Sequence, residues 1–219
     1  MGRDTGWLAA SAALAKLNGK QVADFIYLPE TAFDVEKFLC EVKSKFEEQN
    51  QVYIVVSEGI RTAEGKFVAE ANAQAHDKFG HAQLGGVGSF LKNLIISSGI
   101  TKRVKSLELG VLQRCAMHCA SSIDLKEAYE VGYEALRQAT LGKCGYMIGI
   151  KRENNAPYNS SYFLIEADKV ANNVKYFPTE WINEDGNNVN EKAIEYLEPL
   201  VSEIPSVISA TAMPNFKVF

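Results

Sequence analysis

The residue best suited by its position to bind a polar ligand is Glu58, which follows the apolar run VYIVVS (52–57) and precedes Gly59. The run is apolar and largely β-branched, a pattern typical of a strand covered on both faces. In an open α/β sheet, ligands bind outside the carboxyl ends of the strands, where this side chain would point. A carboxylate there can accept hydrogen bonds from sugar hydroxyls, although an acidic residue that only caps a loop would give the same pattern.

A second group suited to an anion is the tripeptide MGR (1–3), which directly precedes a helix predicted over 5–18 with Thr5 as its N-cap. Glycine lets the backbone approach a ligand closely, and arginine can hold a phosphate through two hydrogen bonds. Backbone N–H groups at a helix N-terminus also favour anions. A frayed chain end is the alternative interpretation.

Four basic side chains surround the stretch VKSLELGVLQR (104–114), which predicts a strand; they are Lys102, Arg103, Lys105 and Arg114. In a regular strand Arg103 and Lys105 lie on the same side, opposite to the other two. Such a cluster can bind a phosphoryl group in an otherwise acidic protein. It can equally be a solvated strand edge that lysines protect from pairing.

The cysteines and histidines do not form a convincing metal site. Cys115, His118 and Cys119 have the chemistry of zinc ligands, but no second ligand pair follows at the spacing that structural zinc sites use. Packing in a helix explains them better. The two histidines of HDKFGH (76–81) lie in a polar segment at 59–83, without the carboxylates that a metal site needs. We predict a long, functional loop there and no metal ligands in this chain.

Apolar patterns predict alternating helices and strands, and therefore a layered α/β fold. The predicted elements are, in order, a helix at 5–18 ended by Asn18-Gly19, a strand at 25–29, a helix from Asp34 to residue 49, a strand at 52–57, a helix within 85–99, a strand at 104–114, a helix at 124–142 capped by Asp124, strands at 144–152 and 161–167, and a short helix near 190–203.

The composition is that of an ordinary globular protein, with 47% hydrophobic and 23% charged residues and a net charge of -4 over 219 residues. No basic surface indicates nucleic acid, and no apolar run approaches the ~20 residues of a membrane span. The N-terminus lacks the layout of a signal peptide, and four cysteines are too few for a disulfide framework. We therefore predict a reduced, cytoplasmic protein that binds neither nucleic acid nor membranes.

Several of these segments occur together, in this order, in the phosphofructokinase family. The chain resembles that family in MGRDTGWLAASAALA, ADFIYLPE, VVSEG, DKFGHAQLGGVG and KSLELGVLQRCAMHCAS. Two later segments, KCGYM and FPTEWINEDGNNV, resemble its pyrophosphate-dependent branch. The similarity covers all but the C-terminal end of the chain and is specific as a set.

The resemblance implies an α/β, three-layer sheet domain, the C-terminal half of a phosphofructokinase, together with an incomplete second domain. It implies transfer of a phosphoryl group from pyrophosphate to fructose 6-phosphate, which gives fructose 1,6-bisphosphate in glycolysis. The intact enzyme would use Mg2+, held mainly by the other half, and would form a homo-oligomer, expected to be a dimer.

The resemblance also implies roles for individual residues. Met1, Gly2 and Arg3 match the family's Met-Gly-Arg, whose arginine and backbone hold the sugar phosphate. Glu58 matches the glutamate that accepts hydrogen bonds from the sugar. Arg114 matches the arginine that binds the 6-phosphate.

Two positions depart from the family pattern. Lys105 stands where the family has an arginine that usually reaches into the site of the neighbouring subunit; lysine keeps the charge but loses the forked geometry. Val111 stands where the family often has a histidine or tyrosine that contacts the substrate. Both contacts are therefore in question.

In the family, the glycine-rich donor loop, the metal-binding Gly-Gly-Asp segment and the catalytic aspartate precede Met-Gly-Arg, where this sequence begins. We therefore expect the chain alone to contain no catalytic residue and to be inactive. The expected domains are a fructose-6-phosphate-binding α/β domain at 1–114, a segment at 115–170 that would complete the missing donor domain, and a C-terminal extension at 171–219. Without its partner sheet, the apolar strand CGYMIGI would have unpaired edges.

Three other interpretations remain open. The donor can be ATP, because donor choice depends mainly on residues outside this sequence. The chain can be a non-catalytic regulatory subunit that keeps sugar-phosphate binding. A nucleotide-binding module is the third, and the absence of a phosphate-binding glycine-rich loop argues against it.

Overall fold

The computed structural model describes residues 4–69, 86–116 and 119–201. The chain forms two compact units, of which the first comprises Met1–Leu109 and Lys175–Ile194 and the second Gly110–Val174 and Glu195–Phe219. Within the described residues, no helix has both the length and the apolar character that a membrane crossing requires.

These units differ from the predicted domains in two places. The first boundary follows Leu109 rather than residue 114, and the residues after it form a helix of the second unit. Residues 175–194, predicted to belong to a C-terminal extension, pack into the first unit, where Phe177 is only 1% exposed. The function predicted for each range stays a prediction.

Helices and strands alternate along the first unit, as the sequence predicts. The helices are, in chain order, α1 (Trp7–Ala10), α2 (Val35–Gln49), α3 (Val87–Ser97), α4 (Gly110–Cys115), α5 (Ser122–Thr140), α6 (Ala167–Val170) and α7 (Glu191–Leu197). The strands are β1 (Lys16–Leu17), β2 (Lys20–Gln21), β3 (Phe25–Tyr27), β4 (Ile54–Val56), β5 (Tyr146–Asn155) and β6 (Tyr158–Glu166). Short 3-10 turns lie at Ser11–Leu14, Thr179–Trp181 and Glu198–Val201.

Strands β3 and β4 form a parallel pair, and α2 is the crossover connection between them. Phe25 lies opposite Ile54, and Tyr27 lies opposite Val56. The side chains of both strands are buried or half buried, which agrees with their unbroken apolar sequences. The strands predicted at 25–29 and 52–57 are thus confirmed, and their carboxyl ends lie side by side.

Helix α2 begins where the sequence predicts, because Asp34 caps it. The Asp34 carboxylate accepts a hydrogen bond of 3.0 Å from the backbone N–H of Lys37. The helix buries Phe38 and Val42 on the face that the apolar spacing indicates. Phe38 meets the Tyr27 ring edge to face, with ring centroids 5.5 Å apart, in the main hydrophobic core of the unit.

The N-terminal helix is shorter than predicted and is capped differently. The sequence predicts a helix over 5–18 with Thr5 as its cap, but α1 and its 3-10 turn end at Leu14, and Gly6 is the N-cap without a side-chain hydrogen bond. Ala10 and Ala13 are fully buried. Helices this short are stabilised by packing rather than by propensity, so their ends follow tertiary contacts.

The dipeptide Asn18-Gly19 closes a β-hairpin between β1 and β2 instead of ending a helix. Leu17 pairs with Lys20 across a two-residue loop whose φ values are 51° at Asn18 and 78° at Gly19. Positive φ at both loop residues is the type I′ geometry, for which Asn-Gly is a preferred sequence.

The strand predicted at 104–114 is wrong. Residues 101–109 have no regular structure, and Gly110–Cys115 forms α4. A strand is stable only when its N–H and C=O groups pair with a neighbour. No strand in the described part of the chain pairs with this stretch, whereas a helical turn satisfies its own backbone groups.

The second unit is built from α5 and an antiparallel hairpin of β5 and β6. The pairing runs from Tyr146 opposite Glu166 to Asn155 opposite Tyr158, which confirms the two strands predicted there. Ser121 rather than Asp124 is the N-cap of α5; its Oγ accepts a 3.2 Å hydrogen bond from the Asp124 N–H. Most large apolar side chains of this unit are exposed.

Candidate functional site

Glu58 lies just beyond the carboxyl end of β4, as the sequence predicts. The preceding residue, Ser57, continues the pairing of the two strands, since its N–H donates to the carbonyl of Tyr27 at 3.0 Å. Ser57 is 8% exposed, and Gly59 is also buried. The half-buried Glu58 side chain is therefore carried by a rigid backbone at the edge where parallel sheets bind ligands.

The Glu58 carboxylate is held by the N-terminus of α3. Its Oε1 accepts a hydrogen bond of 3.3 Å from the backbone N–H of Val87, the first residue of that helix. An anionic group is favourable at a helix N-terminus because the first N–H groups have no intrahelical partner and the helix dipole is positive there. The contact fixes one oxygen and leaves a carboxylate that can still accept bonds from a ligand.

Gly86 and Gly88 allow the chain to start α3 close to Glu58. Gly86 has a φ of 93°, a conformation that favours glycine. A Cβ at Gly88 would lie 2.5 Å from the Ser106 Oγ, so only glycine fits without a shift of that side chain. The glycines therefore set where the helix N-terminus meets the carboxylate.

Asp4, the first described residue, is attached to the segment that follows Glu58. The Arg61 guanidinium donates from Nη2 to the Asp4 carboxylate at 3.2 Å and from Nη1 to the carbonyl of Gly65 at 3.1 Å. It also lies over the Phe67 ring, 3.6 Å from the ring centroid. Arg61 therefore fixes the chain directly after Met-Gly-Arg to the same part of the first unit as Glu58.

The predicted site residues Met1, Gly2 and Arg3 lie outside the described residues. The same holds for the histidines of HDKFGH (76–81) and for His118. The assignment of a substrate-binding role to Met1, Gly2 and Arg3 stays a prediction.

The predicted basic cluster does not lie on one strand, because the strand does not form. Lys102, Arg103 and Lys105 are exposed on the irregular stretch at the end of the first unit. Arg114 is exposed in the last turn of α4, in the second unit. The side chains of Lys105 and Arg114 make no hydrogen bond or ion pair with another described residue, and the convergence of Arg114 with Glu58 stays a prediction.

The described residues contain no group of three or more histidine, cysteine or acidic side chains placed to hold a metal ion. Cys115 and Cys119 are exposed free thiols. The zinc interpretation of the Cys115 segment includes His118, which lies outside the part of the chain that is described.

Arg61 and Glu30 are two positioning residues of this region that the sequence analysis missed. Arg61 follows a predicted strand end and carries a formal charge, which was a usable signal. Glu30 follows Pro29 within the segment ADFIYLPE, but its partners lie far away in the sequence. No local pattern could have identified them.

Comparisons with known proteins agree on one family. Residues 1–139 match the family described as Phosphofructokinase. The chain is 39% identical over 217 residues, 99% of its length, to the pyrophosphate–fructose 6-phosphate 1-phosphotransferase of Xanthomonas campestris pv. campestris. It is 38% identical over 216 residues, again 99% of its length, to the enzyme of that name from Methylococcus capsulatus.

The fold is also similar to that of a solved structure, the pyrophosphate-dependent phosphofructokinase from Nitrosospira multiformis. The TM-score is 0.81 at 30% identity, over 99% of this chain and 50% of that one. This likeness confirms the predicted α/β fold class. The chain spans about half the length of the curated relatives it matches, 51% of each of the two enzymes above. On the family match and these similarities together, the chain belongs to the phosphofructokinase family.

Proposed function

We propose that this chain supplies the acceptor-binding part of a phosphofructokinase that transfers a phosphoryl group from pyrophosphate to fructose 6-phosphate. The observation that carries the proposal is the placement of Glu58 at the carboxyl end of β4, with one oxygen held by the N-terminus of α3. A fixed carboxylate at that edge is suited to accept hydrogen bonds from sugar hydroxyls. The names of the similar enzymes support the acceptor and the donor.

In this proposal, cationic groups hold the sugar phosphate. Arg3 and Arg114 bind the 6-phosphate through two-pronged hydrogen bonds, and the backbone of Met1 and Gly2 approaches it closely. Lys105 adds a positive charge without the forked geometry of an arginine. The net charge of -4 means that this attraction must be local rather than a property of the whole surface.

The chemical step needs groups that we assign to the remaining half of the enzyme. The 1-hydroxyl must lose its proton to a general base, and the charge on the moving phosphoryl group must be stabilised. The described residues offer no ligand set that fits Mg2+, so we assign the metal, the base and the pyrophosphate site to that half. This chain orients the acceptor and balances the charge of its phosphate.

We also propose that the exposed apolar side chains of the second unit pack against that remaining half. The chain spans about half the length of the relatives it matches, and an isolated two-stranded sheet is at best marginally stable. The intact enzyme is proposed to be a cytoplasmic homodimer of glycolysis.

Titration calorimetry of the chain with fructose 6-phosphate tests the acceptor site. We expect binding by the wild-type chain, and a loss of affinity of roughly 10- to 100-fold in Arg114→Ala, because a charge-assisted contact with the phosphate disappears. Arg137→Ala is the matched control, since Arg137 is an exposed arginine of the same unit that pairs with Glu134 at 2.6 Å. It should bind as the wild type does.

The ligand controls separate the phosphate from the sugar. Fructose should bind far more weakly than fructose 6-phosphate, and inorganic phosphate should compete with it. Glu58→Ala should weaken fructose 6-phosphate but not inorganic phosphate. Absence of binding by the wild-type chain contradicts the proposal, and tight binding of ATP by this chain alone would favour a nucleotide-binding module instead.

The donor is tested by combining this chain with the donor half of a related enzyme. We expect phosphoryl transfer to fructose 6-phosphate with pyrophosphate and not with ATP. Activity with ATP alone would replace pyrophosphate as the donor and leave the acceptor site intact.

A further inference from the structure

Glu30 joins three distant segments of the first unit through one carboxylate oxygen. It lies three residues beyond the end of β3, and its Oε1 accepts hydrogen bonds from the backbone N–H of Gly6 at 2.9 Å and of Phe177 at 2.8 Å. These partners are 24 and 147 residues away in the sequence. Two N–H donors that converge on one oxygen are matched by an anion, which accepts more strongly than a neutral group.

The other oxygen of Glu30 is enclosed against Gly6. Oε2 is buried and has no hydrogen-bond partner within the described part of the chain. A Cβ built on Gly6 would lie 2.8 Å from this oxygen and 2.9 Å from the Leu28 side chain, so Gly6 must remain a glycine for the carboxylate to fit. A buried polar oxygen without a partner is unfavourable. Its retention is explained if the carboxylate serves the geometry of the chain at Gly6.

The segment that Glu30 holds is the one that leads out of Met-Gly-Arg. Trp7, next to Gly6, packs edge to face on Phe177 with centroids 5.0 Å apart, and its indole N–H donates to the carbonyl of Lys175 at 2.8 Å. Asp4 is bound by Arg61. Residues 4 to 7 are thus attached both to the chain that follows β3, through Glu30, and to the chain that follows β4, through Arg61.

We propose that Glu30 is a positioning residue for sugar-phosphate binding, which acts through the backbone of Gly6 and sets the direction in which Met-Gly-Arg enters the site. This role rests on the proposed function. Glu30 touches no substrate in it, and it differs from Glu58 in that both of its hydrogen bonds go to the protein backbone. Because the phosphate contact of Arg3 depends on where residue 4 is fixed, loss of the Gly6 bond should lower affinity without removing any ligand-binding group.

The test compares fructose 6-phosphate affinity among variants of the full chain. Glu30→Ala removes both hydrogen bonds and should weaken binding by at least about tenfold. Glu30→Gln keeps an acceptor oxygen of the same reach and should restore most of the affinity. Gly6→Ala should reproduce the loss from the opposite side, because its methyl group would displace the carboxylate. Should Glu30→Ala not fold, Glu30→Asp keeps the charge, shortens the reach and should weaken binding.

A destabilised variant elsewhere in the core separates positioning from stability. Val42→Ala removes packing in α2, where Val42 is 3% exposed, and it touches neither Gly6 nor Phe177. It should lower the melting temperature and leave the affinity unchanged. Equal loss of affinity in Val42→Ala and Glu30→Ala would reduce Glu30 to a structural role and overturn the inference.

The tryptophans provide a second readout that does not depend on the ligand. The chain has two tryptophans, Trp7 and Trp181, with centroids 6.1 Å apart, and both contact Phe177. Glu30→Ala should shift their emission and Val42→Ala should not. If the wild-type chain binds and Glu30→Ala binds equally well, the role of Glu30 is wrong although the proposed function stands. If the wild-type chain does not bind, the proposed function fails, and this role fails with it.

Discussion

The two compact units of this chain use similar local patterns and reach opposite results in packing. Among the described residues, all buried hydrophobic side chains except Leu197 belong to the first unit. In the second unit, α5 presents an apolar row to solvent at spacings of four, four and three residues, formed by Leu125, Tyr129, Tyr133 and Leu136. An amphipathic sequence forms a helix in both units, but only a second layer can bury its apolar face.

The contrast shows what the second unit lacks. Its single hairpin also exposes Met147, Ile150 and Phe163. A helix on a two-stranded sheet offers one contact surface, whereas the parallel strands of the first unit lie between packed elements. The chain spans about half the length of its relatives, and this exposed surface is what the proposed contact with the remaining half requires.

The largest expected effect is on limited proteolysis. We expect cleavage between residues 115 and 170 to be more than about tenfold faster than cleavage within 24–60, because local opening costs least where few apolar contacts are lost. Mass spectrometry of the early fragments locates the cuts. A digest with no cut between 115 and 170 would contradict the contrast between the units.

The next effect compares matched truncations of one apolar residue in each unit. Phe38→Ala should lower the free energy of unfolding of the first unit by about 3–5 kcal/mol, since Phe38 is 1% exposed and packs among aromatic rings. Leu136→Ala, at 67% exposure, should change the stability of the second unit by less than about 0.5 kcal/mol. Denaturant unfolding followed by tryptophan fluorescence reports the first unit, and far-UV circular dichroism reports both. A large effect of Leu136→Ala would show that its surface is covered in solution.

A smaller effect is expected at the one buried ionisable residue among those described in the second unit. Glu127 is 8% exposed and accepts a 2.6 Å hydrogen bond from the Tyr158 hydroxyl. Tyr158→Phe should destabilise this unit by about 1–3 kcal/mol, because it leaves a buried carboxylate without that donor. Tyr129→Phe, at 71% exposure on the same helix, is the control and should be neutral.

The same pair predicts an alkaline dependence. Burial, and then the hydrogen bond and charge of Glu127, raise the pKa of Tyr158 to about 12. The neutral phenol is therefore favoured by folding, and its contribution is complete below the ordinary tyrosine pKa near 10 and is lost as the pH rises toward 12. The stability difference between wild type and Tyr158→Phe should narrow over that interval. A constant difference in chemical unfolding from pH 9 to 12 would contradict this assignment.

The smallest effects should be equal in the two units, because helix caps are local. Asp34→Ala removes the cap of α2 and should cost about 1 kcal/mol. Ser121→Ala should cost at least as much in α5, since the Ser121 hydroxyl also donates to the carbonyl of Leu200. Glu47→Ala, at an exposed position in α2, is the control. Thermal unfolding checks all three, and a neutral Asp34→Ala would mean that the cap does not stabilise α2.

Local features were predictable because their causes lie within a few residues of each other. The start of α2 follows from Asp34 and the spacing of Phe38 and Val42, and β3 and β4 follow from unbroken apolar runs. The position of Glu58 follows from the end of β4. Each of these depends on a cap, a period or a turn that the sequence states directly.

Other features depended on partners that are remote in the sequence. Asn18-Gly19 suits either the end of a helix or a hairpin loop, and the hairpin forms because the chain has already packed Ala10 and Ala13. The stretch 104–114 has strand-forming residues but lacks a strand to pair with in the described structure. Propensity allowed both outcomes, and tertiary contact chose one.

The sequence by itself determined the α/β alternation, the cap of α2, the strand ends and the family to which the chain belongs. Only the tertiary structure decided which side chains are covered, and that Glu30 joins Gly6 to Phe177 across 147 residues. The physical reason is that helix and strand patterns arise from neighbouring residues, whereas burial and long-range hydrogen bonds require surfaces that the folded chain alone brings together.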